Sequence, residues 1–126
     1  MRDRPLVLIV EDEPHIVLSL DFLLQQAGFD TAVVDNGEAA VDGVRQLRPD
    51  VVILDIMLPG RSGYDVCQAL KADTELCDLP VVMLSARGQE VEVLKGLELG
   101  ASAYVTKPFG NAEILEAIGA ALHARP

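Results

Sequence analysis

The sequence predicts an α/β domain: a five-stranded parallel sheet with helices on both faces. Three observations predict it. Five short runs of branched apolar residues recur along the 126 residues. Between them lie helical stripes, with apolar residues spaced three and four apart. The connections are short, so each strand leads directly into a helix that must pack back on the sheet.

The first run, Leu6–Val10, is continuously apolar, as expected of a strand covered on both faces. Pro14 suits the first turn of the next helix, with Asp12 or Glu13 near its cap. Ile16, Leu20, Leu23, Leu24 and Ala27 form one stripe along that helix, and Gly28 closes it. Thr31–Val34 is the second strand. Ala40, Val41, Val44 and Leu47 make a second stripe, stopped before Pro49. Val51–Leu54 is a third strand, again continuous, and a short helix after Gly63 buries Val66, Cys67 and Leu70. Val81–Leu84 is the fourth strand. A helix from about Gln89 to Leu99 carries Val93, Leu94 and Leu97 but contains Gly96, which makes it marginal. Ala103–Val105 is the fifth strand. Ile114, Leu115, Ile118, Ala121 and Leu122 line the fifth helix, which runs almost to Pro126. Residues 1–126 are expected to form one domain, with its core from about 5 to 124.

Composition narrows the function. Half the residues are hydrophobic, and a chain this long can bury roughly two-thirds of its unfolded surface. A formal net charge of −10 repels phosphate backbones, so direct nucleic-acid binding is not expected. Cys67 and Cys77 have neither metal-ligand spacing nor the density of a secreted scaffold. They read as free thiols, Cys67 in the core and Cys77 in a loop. Glu11 interrupts the apolar run that a signal peptide would need, and no stretch approaches the ~20 apolar residues of a membrane span. A cytoplasmic protein without membrane contact is expected.

In an open parallel sheet, chemistry gathers beyond the carboxyl ends of the strands. The first strand ends in Glu11-Asp12-Glu13 and the third in Asp55. The fourth ends in Ser85-Ala86, and the fifth runs into Thr106-Lys107-Pro108. Carboxylates suit Mg²⁺, which takes few protein ligands and keeps several waters. A hydroxyl and a lysine opposite would hold the remaining oxygens of a phosphoryl group.

These residues carry a resemblance. Leu8-Ile9-Val10-Glu11-Asp12-Glu13, Val51-Val52-Ile53-Leu54-Asp55-Ile56-Met57-Leu58-Pro59-Gly60, Val81-Val82-Met83-Leu84-Ser85-Ala86 and Ala101-Ser102-Ala103-Tyr104-Val105-Thr106-Lys107-Pro108-Phe109 follow one another in order. Together they resemble the response-regulator receiver domain of two-component signalling, over essentially the whole chain. The resemblance implies a flavodoxin-like (βα)5 fold with strand order 2-1-3-4-5. It implies Asp55 as phosphoacceptor, served by a histidine kinase or a histidine phosphotransfer protein. Glu11, Asp12, Asp55 and the Met57 backbone carbonyl would hold Mg²⁺ (or Mn²⁺), with Glu11 acting largely through water. Ser85 and Lys107 would contact the phosphoryl oxygens, and Tyr104 would turn inward as Ser85 moves. Small Ala86 would leave access to the acceptor, while Met57 and Arg87 flank the site and tune the lifetime of the acyl phosphate. A cis peptide between Lys107 and Pro108 is implied as well. The expected output is a changed surface of the fourth helix, fifth strand and fifth helix, read by a downstream protein or an output domain. Such a domain is not a conventional turnover enzyme, although it catalyses its own phosphoryl transfer and slow dephosphorylation.

Plainer readings stand beside these. The acids at 11–13 could cap the first helix and favour its dipole. Asp55 could terminate a strand, Ser85 is an ordinary strand-end residue, and Lys107 could be a surface lysine. Tyr104 could be packed core as readily as a moving switch. His15 reads as a solvated helix residue and His123 as a surface group at a helix end. Ser102, Ala103, Ala117 and Gly119 replace charges that form dimer salt bridges in receivers of winged-helix regulators. A monomer, or a weak phosphorylation-dependent dimer, is therefore expected. Rival functions are a degenerate receiver acting as a docking scaffold and a metal-dependent phosphatase. Glu11-Asp12-Glu13 lacks the Asp-x-Asp of the haloacid-dehalogenase type, and three acids after the first strand would repel the phosphate of a flavin. The chain is either a stand-alone receiver or a piece of a larger regulator or hybrid kinase.

Overall fold

The computed structural model describes residues 4–86, 94, 97, 98 and 100–123. Strands β1 (Leu6–Val10), β2 (Asp30–Val34), β3 (Val51–Asp55), β4 (Val81–Ala86) and β5 (Ala103–Lys107) form one sheet in the order β2-β1-β3-β4-β5. Every pairing is parallel. The helices are α1 (Pro14–Gln26), α2 (Ala40–Leu47), α3 (Gly63–Ala72) and, at the C-terminus, α4 (Asn111–His123). The helix expected from about Gln89 to Leu99 falls mostly outside the described residues.

The pleat divides the apolar side chains between two cores. Leu8, Val10, Val52, Leu54, Val81 and Met83 meet Val44 of α2 and Val66, Cys67 and Leu70 of α3. On the other face Val7, Ile9, Val51, Ile53, Val82 and Leu84 meet Leu20 and Leu24 of α1 and Ile114 and Ile118 of α4. Strands β1 and β3 are buried at every position because helices cover both faces. The edge strand β2 is partly exposed throughout.

Besides Leu94 and Leu97, which are exposed, two apolar positions depart from the expected stripes. Leu47 is exposed because α2 is only eight residues long and leaves the core at its last turn, where Arg48 takes a left-handed conformation (φ 49°). Ala27 is exposed as the C-cap residue of α1, and the chain then turns at Gly28 (φ 98°), as expected of a helix-closing glycine.

The strands also run further than their apolar runs. β3 ends on Asp55, β4 on Ala86 and β5 on Lys107. Ladder pairing carries the backbone past the last apolar side chain, with Ser85 opposite Thr106 and Ala86 opposite Lys107. Asp55, Ser85 and Lys107 thus stand on strand ends rather than on free loops.

Gly63 begins α3 directly behind the rim. A Cβ on it would lie 2.3 Å from the Asp55 carbonyl oxygen and 2.7 Å from Ile56 Cα. Only glycine allows this approach. Gly63→Ala is expected to lower stability by about 2 kcal/mol through overpacking against backbone. An unchanged thermal midpoint would contradict that.

Candidate functional site

The rim at the carboxyl ends of β1, β3 and β5 brings acids and a lysine together. Glu11 continues β1, its backbone N–H bonding the Val34 carbonyl at 3.0 Å, which sets its side chain in the sheet rather than in a loop. That side chain is fully buried, and Asp55 is 4 % exposed. Asp12 is exposed beside them. One carboxylate oxygen from each of Glu11, Asp12 and Asp55 lies within 4.8 Å of the others.

Lys107 faces two of these acids. Its Nζ donates to Glu11 Oε1 at 3.0 Å and to Asp55 Oδ2 at 3.2 Å. The other Asp55 oxygen, Oδ1, accepts from the Met57 backbone N–H at 3.2 Å. Burial, followed by the hydrogen bond and negative charge of Asp55, pushes the Glu11 carboxyl from 4.5 up to about 8 against the opposing pull of Lys107. For Lys107, burial works against the charged form, but Glu11 and Asp55 outweigh it and hold the ammonium above the ordinary lysine range.

Capping does not account for the acids. The N-cap of α1 is Glu13, and its side chain makes no cap hydrogen bond. Glu11 Oε2, by contrast, is buried with no hydrogen-bond partner among the described residues. A buried carboxylate oxygen left without a partner is costly unless something satisfies it. Hard oxygens converging from three carboxylates, one of them orphaned, fit a hard divalent cation.

The remaining predicted residues that are described lie on β4, on β5 and in the connections that follow β3 and β5. Ser85, on β4, is buried, and its hydroxyl lies 3.4 Å from that of Thr106 on β5. Ala86 is exposed at the end of β4. Met57 is also exposed, its side chain outside the core. Tyr104 is 48 % exposed on β5, opposite Met83 in the ladder, so it is not a core residue here. The Lys107–Pro108 peptide is cis. Arg87 lies outside the described residues. His15 and His123 are exposed, Cys67 is buried, and Cys77 sits in the α3–β4 connection. A groove of about 420 Å³ opens beside Lys107, lined by Glu13, Ile16, Ser19, Pro108, Phe109 and Asn111.

Thr106 was not singled out by sequence reasoning. Its place one residue before Lys107 on a strand parallel to the one carrying Ser85 is the signal that could have found it. The same holds for Gly37, whose backbone closes on the loop after β3 and whose neighbour Asn36 marks only a turn in sequence.

Comparison with known proteins adds the family. A profile of the response regulator receiver domain matches residues 7–119. The DNA-binding response regulator MtrA of Mycolicibacterium smegmatis is 47% identical over 122 residues, covering 97% of this chain and 51% of that protein. The chain thus spans about half the length of the curated relatives it matches. Among solved structures, the signal receiver domain of a signal transduction histidine kinase from Syntrophus aciditrophicus superposes with a TM-score of 0.87 at 33% identity, over 94% of this chain and 90% of that one. The receiver domain of the sensor histidine kinase PA1611 from Pseudomonas aeruginosa, with a magnesium ion coordinated in its active-site cleft, gives 0.88 at 25% identity, over 96% and 99%. The strand order, the acidic rim and a profile match over nearly the full length agree, and the chain belongs to the response-regulator receiver-domain family of two-component signalling.

Proposed function

We propose that this chain is a phosphorylation-dependent switch whose acceptor is Asp55. The observation that carries the reading is Asp55 itself. It is a buried carboxylate at the end of the central strand, with Glu11 and Asp12 within 4.8 Å and the Lys107 ammonium at 3.2 Å. A carboxylate oxygen of Asp55 attacks the phosphorus of a phosphohistidine on a histidine kinase or histidine phosphotransfer protein. The P–N bond breaks, and its electron pair returns to the imidazole. The product is an aspartyl phosphate.

Glu11, Asp12, Asp55 and the Met57 carbonyl would hold Mg²⁺ (or Mn²⁺), which when bound supplies positive charge to the phosphoryl oxygens. The magnesium ion in the Pseudomonas aeruginosa relative supports that assignment. Lys107 supplies a second positive charge, because attack on an anionic donor needs both. Ser85 then turns from Thr106 toward the phosphoryl group, and Tyr104 leaves its half-exposed position for the space that Ser85 vacates. Met57 and Ala86 set how readily water reaches the acceptor, and so the lifetime of the phosphoryl group, a role that the family resemblance extends to Arg87.

The altered face around β5 and α4 is read by a downstream protein or an output domain. The relatives named DNA-binding response regulators support a longer protein in which nucleic acid is bound elsewhere, since a net charge of −10 opposes such contact by this domain. No helix among the described residues is long and apolar enough to cross a membrane. A cytoplasmic location, as a monomer or a weak phosphorylation-dependent dimer, completes the proposal.

The test is intact mass after incubation with acetyl phosphate and Mg²⁺. One phosphoryl adduct is expected, not formed when chelator is present during the incubation and absent in Asp55→Asn. No adduct in the wild type, or an adduct that survives the substitution, would sink Asp55 as the acceptor.

A further inference from the structure

The loop that follows β3 carries Met57, and it is clamped at a point the chemistry does not touch. At its far end, Gly63 packs behind Asp55, and the Gly63 N–H bonds the Ile56 carbonyl at 2.9 Å. Midway, the loop meets the β2–α2 connection. The Gly37 N–H donates to the Pro59 carbonyl at 3.2 Å. A Cβ on Gly37 would fall 2.0 Å from the Arg61 carbonyl oxygen and 2.8 Å from its carbonyl carbon. Those are backbone atoms, so they cannot swing aside as a side chain would. Gly60 (φ 80°) lies under the Glu38 side chain, with a hypothetical Cβ 3.0 Å from Glu38 Cγ. On its own side, Gly37 is held by Asn36, whose Oδ1 accepts from the Ala39 N–H at 2.9 Å, and by its carbonyl, which accepts from Ala40 at 3.3 Å. Two backbones thus meet face to face, one anchored at the start of α2 and the other leading back to Met57 and Asp55.

We infer that Gly37 is a positioning residue for the Met57–Ser62 loop, and through it for the Met57 carbonyl as a cation ligand. The inference rests on the proposed cation site at Glu11, Asp12, Asp55 and Met57. A side chain at 37 must part the two backbones. The loop then loses its outer support, while the carboxylates of Glu11 and Asp55, fixed on β1 and β3, stay in place. The expected loss is therefore in one ligand's position rather than in the charge of the site.

The test is titration of the full chain with MgCl₂, followed through the amide resonances of Asp12, Asp55 and Met57. Gly37→Ala is expected to weaken Mg²⁺ binding about ten-fold, the scale seen when support behind a metal ligand is lost. Leu24→Ala, which opens the core on the opposite face of the sheet, where no residue of the loop packs, is the control. It should lower the thermal midpoint and leave Mg²⁺ affinity at the wild-type value. Equal affinity in wild type and Gly37→Ala overturns the inference and leaves the cation site standing. Equal weakening in both variants also overturns it, because general softening then suffices. No saturable shift in the wild type means the cation site itself is wrong, and the inference falls with it. Should Gly37→Ala not fold, hydrogen exchange of the wild type decides. Coupling between two sites is reciprocal, so saturating Mg²⁺ must slow the Gly37 amide more than the Asp30 amide, which bonds the Pro5 carbonyl far from the rim. Equal slowing of the two amides, or none, would overturn the inference.

Discussion

Raising the pH from about 5 to about 8 is expected to destabilise the metal-free protein and, over the same interval, to tighten its hold on Mg²⁺. Both effects come from Glu11. In the unfolded chain its carboxyl ionises near 4.5, whereas the fold holds the proton up to about 8, chiefly because the side chain is buried. Inside that window the unfolded state binds fewer protons, so stability falls as pH rises, by up to roughly 1.4 kcal/mol per pH unit. Below the window both states are protonated, and above it both are ionised, so the curve flattens at each end. A carboxylate must be deprotonated to serve a cation, so Mg²⁺ competes with the proton. Affinity then gains up to about ten-fold per pH unit until Glu11 is ionised in the free protein. Urea denaturation at several pH values, with and without Mg²⁺, reads the first effect. Calorimetry in buffers of different ionisation enthalpy reads the second, as about one proton released per ion near neutral pH. Glu11→Gln should flatten the stability curve. A wild-type curve already flat between 5 and 8, with no proton released, would mean that Glu11 is ionised throughout.

That prediction could not have come from the sequence, and the reason is physical. The runs Leu6–Val10, Val51–Leu54 and Val81–Leu84 announce buried parallel strands because burial on both faces leaves a continuous apolar signature. Once those strands are placed, Glu11, Asp55 and Ser85 follow at their ends, since position along a strand is a one-dimensional property. What a side chain meets across the sheet is not. The orphaned Oε2 of Glu11, the two hydrogen bonds donated by Lys107 and the Ser85–Thr106 contact depend on which strand lies beside which. Gly37 and Gly63 look alike in sequence to Gly119, yet a Cβ would strike backbone at the first two and open space at the third. Leu47 shows the opposite limit. It sits in phase with the apolar stripe, but α2 is too short to keep its last turn on the core. Tyr104 could be read either way from the sequence, and its half exposure places it outside the core in this state.

Lys107→Ala is expected to separate phosphorylation from signalling. The ammonium is bonded to both buried carboxylates, and removing one partner of a buried pair leaves the other charge uncompensated. Where Glu11 is ionised the loss should reach about 3 kcal/mol. At lower pH it should shrink, because Glu11 then keeps its proton. The same substitution removes a cation that competes for Glu11 and Asp55, so Mg²⁺ should bind at least as tightly as in the wild type. With Asp12, Asp55 and Glu11 intact, acetyl phosphate should still modify the proposed acceptor, more slowly for want of one positive charge. What should disappear is the response. Lys107 stands on the last residue of β5, three residues from Tyr104, and is the described group that links the acceptor's carboxylate to that strand. Without it, β5 loses its direct bond to the acceptor, and the turn of Ser85 away from Thr106 is expected not to move Tyr104 by itself. Intact mass reads the adduct, and the ring resonances of Tyr104 read the response. The expected result is a phosphorylated variant whose Tyr104 signals match those of the unmodified protein. A variant that is phosphorylated and shifts Tyr104 as the wild type does would remove Lys107 from the relay and move the link to Ser85 and Thr106.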